Sequence, residues 1–171
     1  MRTRAHGFSN HGVSEAFYLS DPEGNGVELY HDRPESEWPR KGTRIAMMSE
    51  PIELEPWLTG TNPSPGSGGI TLGHVHLTVS SLEDSEQFYR GLLGMDITQD
   101  DYTGAYFLSY DGYHHHVAIN VWSGEGLGLR KADETGLISF SFRANDAREG
   151  ALDPNGIAVS FTDLDAQTTG N

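Results

Sequence analysis

The stretch Gly73-His74-Val75-His76-Leu77-Thr78-Val79-Ser80-Ser81-Leu82, running on to Gly94, constrains the fold more than any other part of the chain. Side chains along a strand alternate between faces, so His74, His76 and Thr78 share one face and Val75, Leu77 and Val79 the other. One face is polar and imidazole-bearing, and the other is built to pack. Ser80-x-x-Glu83 has the form of a capping box, which predicts a helix starting where the strand stops. Leu82, Ser85, Phe88, Tyr89, Leu92 and Leu93 recur at helical spacing, and Gly91 and Gly94 supply the stop. The helix is expected on the Val75, Leu77 and Val79 face, leaving the histidine face open.

Composition narrows the partners. The 171 residues suit one fair core or two small ones. A formal charge of −14, with Lys41 and Lys131 the only lysines, repels nucleic acid and acidic membranes. The same acid excess suits a protein kept soluble in high salt, and a halophilic source is the expectation. With no cysteine, disulfides, thiolate catalysis and cysteine-ligated zinc are excluded, and any metal must sit on His, Asp or Glu. There is no apolar run of membrane-spanning length and no signal-peptide core at the start, so the expected compartment is the cytoplasm.

Taken in order, residues 1 to 10 carry no periodicity and are expected to be irregular. Ala16 to Ser20 and Val27 to Tyr30 are strand-like runs around the turn formers Asp21-Pro22-Glu23-Gly24-Asn25-Gly26, which predicts a hairpin. With Asp21 and Asn25 flanking the turn, Tyr18 falls opposite Glu28, and Phe17, Leu19, Val27 and Leu29 take the other face. Residues 31 to 69 look like a connector, with short turns at Trp38-Pro39 and Glu55-Pro56-Trp57-Leu58 and a flexible Pro, Gly and Ser linker from Thr61 to Gly69. A second hairpin is expected from Ala105 to Tyr110 and Tyr113 to Trp122 around Asp111-Gly112. That places His114, His116, Ala118 and Asn120 on one face and His115, Val117, Ile119 and Val121 on the opposite one. Gly124 to Glu134 reads as loop, Leu137 to Phe142 as a strand, and residues 163 to 171 as a polar tail.

Asp-Pro-x-Gly before a strand occurs twice, at Asp21 and Asp153, and such self-similarity suggests repeated modules. The runs His11 to Tyr30, Gly73 to Val79, Phe88-Tyr-x-x-Leu-Leu-Gly94 and Gly112 to Trp122 resemble the vicinal oxygen chelate superfamily, in its extradiol, catechol 2,3-dioxygenase-like branch. The resemblance implies an α+β fold in which β-α-β-β-β modules pair into a half-open barrel around a metal. On that pattern residues 1–34 are the tail of one module, 35–69 a connector and linker, 70–122 a complete module, and 123–171 a remnant of a further module with a polar tail. The chain is therefore expected to be truncated and internally deleted relative to the family.

The resemblance also implies a site. The family's first metal-ligating histidine falls on His74, which the face argument reaches independently, while His76 has no family role. The carboxylate ligand falls on Glu28, because the equivalent position of the second copy is Ser160. The second histidine ligand belongs on a strand that the chain lacks, and its equivalent in the last module is near Ser139. His116 is the substitute, occupying a ligand position in the related glyoxalases and an acid–base position in the extradiol enzymes. Its place in the ligand set stays open. Tyr18 matches a tyrosine that hydrogen-bonds a substrate hydroxyl, and His11 a histidine that contacts substrate or oxygen.

Two histidines and one carboxylate suit Fe(II), with Mn, Zn and Ni the other divalent candidates. The implied reaction is extradiol cleavage of a small aromatic diol with O2, as in aromatic hydrocarbon catabolism. Two alternatives from other classes stay open: a glyoxalase-like divalent-metal isomerase, and an inactive remnant or small-molecule-binding module. A homo-oligomer could supply missing strands.

Overall fold

In the computed structural model, which describes residues 4–52, 59, 69–131, 133–145 and 148–164, the two Asp-Pro-x-Gly sequences close turns of one build. Asp21 Oδ1 accepts the N–H groups of Glu23 and Asn25, both at 2.8 Å. Asp153 Oδ1 accepts those of Asn155 and Ile157 at 2.9 and 2.8 Å. Gly24 and Gly156 take φ of +93° and +83°, conformations that glycine adopts without a Cβ penalty. The repeat read from sequence is thus a repeat of structure.

The chain divides into two compact units, Met1–Gly73 and His74–Asn171. The first holds an antiparallel sheet in the order β1-β2-β3, from β1 (Arg4–Asn10), β2 (Ser14–Ser20) and β3 (Gly26–Asp32). Tyr18 pairs with Glu28, as the turn placement predicts. The expectation of an irregular lead-in fails, because β1 runs along β2. Its register shifts between Ala5 and Gly7, and a bulge of that kind breaks the alternation by which a strand is recognised in sequence.

The connector is more structured than its composition suggests. A 3₁₀ turn at Glu35–Glu37 precedes the small pair β4 (Arg40–Lys41) and β5 (Arg44–Ile45). Trp38 is buried, as are Val13, Ala16, Ile45 and Met47, and it donates its indole N–H to the Arg33 carbonyl. The turn expected at Glu55 to Leu58, the linker from Thr61 to Gly68 and the tail beyond Leu164 lie outside the described residues.

In the second unit β6 (Val75–Thr78), α1 (Leu82–Glu86), β7 (Asp96–Gln99), β8 (Ala105–Ser109) and β9 (Val117–Asn120) follow the β-α-β-β-β order and form a sheet β6-β9-β8-β7. Leu77 and Val79 are buried while His76 and Thr78 are exposed, as alternation requires. The helix cap is corrected by one position. Ser81, not Ser80, is the N-cap, its Oγ accepting the Asp84 N–H at 3.1 Å. The backbone N–H and hydroxyl of Ser80 instead donate to Asn155 Oδ1, both at 2.9 Å.

After α1 the chain widens into a π turn over Gln87–Leu92, with Leu93 N–H bonded five residues back to Phe88 at 3.0 Å. Ser85, Phe88, Tyr89 and Leu93 are buried as expected, but Leu92 is 66 % exposed. Gly91 sits inside the turn, so Gly94 alone ends it, at φ +75° with its N–H on the Arg90 carbonyl.

A second sheet, β10-β12-β11, comes from β10 (Ser139–Ala144), β11 (Ala151–Leu152) and β12 (Ala158–Asp163). No helix lies between β10 and β12 among the described residues. Ile157, Val159 and Phe161 instead join Leu77, Val79, Phe88, Tyr89, Leu93 and Met95 in one apolar cluster, so one helix serves the complete module and its partial neighbour. The result is an α+β fold of open sheets, incomplete relative to paired β-α-β-β-β modules. No described helix is long and apolar enough to cross a membrane.

Candidate functional site

The β2–β3 register sets the first cluster. Tyr18 and Glu28 are cross-strand partners, and the phenol donates to Glu28 Oε1 at 2.8 Å. His11, just before β2, places Nε2 2.5 Å from Tyr18 Oη and 3.7 Å from Glu28 Oε1. The His11 and Glu28 side chains are 20 % and 18 % exposed. All three residues proposed from this part of the sequence are therefore brought together. Nδ1 of His11 lies 2.7 Å from the carbonyl oxygen of Met48, in the segment read as connector.

The second cluster is imidazole-rich and differs from the alternation reading. His115, expected on the opposite face, lies with its ring centroid 4.2 Å from that of His74, and His114 lies 6.4 Å away. The reason is the turn. Leu108 pairs with Val117 around Asp111-Gly112, which leaves more residues on the β9 side than on the β8 side. The excess, Tyr113 to His115, leaves the strand, and alternation does not govern it. Thr98 Oγ1 donates to the His114 carbonyl at 2.6 Å, and His114 Nδ1 lies 2.7 Å from His115 Nδ1. His76 is apart from this group, packed on Trp122 with centroids 5.0 Å apart.

His116 is fixed by hydrogen bonds. Its Nδ1 accepts the Tyr110 N–H at 3.2 Å and lies 2.8 Å from Ser109 Oγ. A nitrogen that accepts a backbone N–H carries no proton, so the neutral ring holds its proton on Nε2. Burial pushes the His116 pKa down, His114 and His74 add to the effect, and Asp111 opposes it. His116 thus presents a hydrogen-bond donor at Nε2.

These donors do not fit a two-histidine, one-carboxylate metal site. With its proton on Nε2, His116 offers a metal no lone pair there. Ser160, at the equivalent position of the second copy, brings no charge. Among the described residues no group of three or more His, Cys, Asp or Glu could hold a metal ion.

Comparison with known proteins agrees with the fold. The family model of the Glyoxalase/Bleomycin resistance protein/Dioxygenase superfamily matches residues 71–149. Catechol-2,3-dioxygenase of Bacillus subtilis (strain 168) is 39 % identical over 141 residues, 79 % of this chain and 49 % of that protein. The chain thus spans about half the length of this relative. By the family match over the module that carries His74 and by its identity to that relative, the chain belongs to the glyoxalase/bleomycin resistance/dioxygenase superfamily and is catechol-2,3-dioxygenase-like.

Proposed function

We propose that the chain is a half-length relative of extradiol dioxygenases that binds a small aromatic diol. The observation that carries this reading is the hydrogen-bonded array His11–Tyr18–Glu28, formed by the very residues that resemble the extradiol site. Tyr18 Oη can donate to or accept from a diol hydroxyl, and His11 Nε2 stands behind it to hold or release a proton. Within the second unit His115 lies beside His74, and burial lowers the His116 pKa. In this family a divalent metal, usually Fe(II), supplies the template and Lewis acid for diol and O2, and among the described residues no group of three or more donors is placed to hold one.

A second reading is favoured by the His116 proton on Nε2 and by the lack of a three-donor group among the described residues. On it, the chain binds the diol without cleaving it.

Both readings are tested on purified protein loaded anaerobically with Fe(II), its metal content measured by mass spectrometry, and then given catechol and air. Yellow ring-opened product with O2 uptake supports cleavage. Saturable catechol binding without colour or O2 uptake supports the binding module. Bound metal with neither binding nor colour overturns both.

A further inference from the structure

We infer that the segment Ala46 to Glu50 is a positioning element for His11, and that the Met48 carbonyl fixes which ring nitrogen faces Tyr18. The inference goes beyond the proposed function, since it needs neither metal nor turnover. A carbonyl oxygen only accepts, so the 2.7 Å contact from Met48 to His11 Nδ1 requires the proton on Nδ1. The neutral ring then offers a lone pair at Nε2, 2.5 Å from Tyr18 Oη. The single phenolic proton of Tyr18 faces two acceptors, His11 Nε2 and Glu28 Oε1. It can shift between them without any other proton moving.

The segment is built to hold this arrangement. Asn10 and Glu50 exchange backbone hydrogen bonds at 2.8 and 3.0 Å, and Met48 N–H donates to the His11 carbonyl at 3.2 Å. Ser9 Oγ lies 3.1 Å from Ser49 Oγ, and Ala46 N–H donates to the Pro39 carbonyl at 2.8 Å. Gly12 sits at φ +76°, where a Cβ would come within 2.8 Å of Pro39 Cγ and 3.2 Å of Met48 Cε. Asn10 Oδ1 accepts the Gly12 N–H at 2.8 Å, locking the bend that turns His11 toward Met48. The residues that set the His11 ring are thus spread over both sides of the first unit's chain.

The test is the His11 tautomer, read from long-range ¹H–¹⁵N correlations in the full chain at about pH 8, above the usual imidazole range, with His11→Gln assigning the signals. The expected result is an Nδ1–H ring with Nε2 unprotonated. An Nε2–H ring, or an unbiased mixture, overturns the proposal. Tyr18→Phe separates the two candidate causes: the Nδ1–H preference persists if Met48 sets it, and its loss shows that the phenol does. Gly12→Ala is expected to abolish the preference while amide protection between β2 and β3 is kept. An unchanged tautomer in that folded variant also overturns the proposal. Should Gly12→Ala not fold, Ser9→Ala, which removes the Ser9 Oγ contacts with Ser49 Oγ and the Glu50 carbonyl, is expected to weaken the preference and is read the same way.

Discussion

Tyr89, at the heart of the π turn after α1, donates its hydroxyl to Asp153 Oδ2 at 3.0 Å, across 64 residues of chain. Asp153 opens the second Asp-Pro-x-Gly turn, and Asn155 of that turn binds Ser80 at the start of the helix. Both ends of the one helix are therefore tied to a single turn of the partial module. This pairing lets a module without its own described helix share the core of its neighbour.

Tyr89→Phe removes that donor and leaves a buried carboxylate oxygen with only the 3.4 Å contact from Asn155 Nδ2. The expected loss is about 1–3 kcal/mol of unfolding free energy, the range for stranding a buried polar group. Urea denaturation checks it, with an unchanged m-value showing that the fold is kept.

The same phenol predicts an alkaline limit. Burial raises the Tyr89 pKa well above the usual tyrosine value, and the Asp153 charge adds to the shift. The folded chain keeps this proton where the unfolded chain releases it, so stability is full below about pH 10 and falls above it, by up to ~1.4 kcal/mol per pH unit. Thermal melts from pH 8 to 11 should show the decline, with a shallower slope in Tyr89→Phe. Tyr110, raised by burial against the opposing Arg148, accounts for part of what is left.

How far the sequence reaches is plain at three places. The Tyr18–Glu28 pairing was legible because two turn formers and a period of two leave one register, and the structure has it. His115 was not, since the residues beyond Asp111-Gly112 leave the ladder and the period of two stops with it. The Met48 contact with His11 was equally hidden. It joins a loop histidine to a backbone carbonyl 37 residues on, and a carbonyl has no signature in a sequence.

His116 predicts the acid side. Its pKa is lowered by burial first, then by His114 and His74 against the opposing Asp111. The unfolded histidine takes up a proton near pH 6.5 while the folded one does not, so its contribution is full above that pH and declines below it until the folded group also titrates. Metal-free protein should lose stability between pH 7.5 and 5.5 in urea denaturation. His116→Asn keeps an acceptor for the Tyr110 N–H and should flatten that decline.

Two exposed glycines, three residues apart, should respond to alanine with opposite signs. A Cβ at either Gly91 or Gly94 meets no heavy atom within 4 Å, so packing decides neither case. Gly94 holds φ +75° at the end of the turn, where an L side chain costs roughly 1–2 kcal/mol. Gly91 lies within the helical turn and outside the positive-φ residues. Alanine there narrows the unfolded ensemble without strain, a gain of about 0.4–1 kcal/mol. Gly94→Ala should therefore lower the melting temperature and Gly91→Ala raise it. A fall in both would mean that the π turn needs glycine for its own geometry and not merely for its termination.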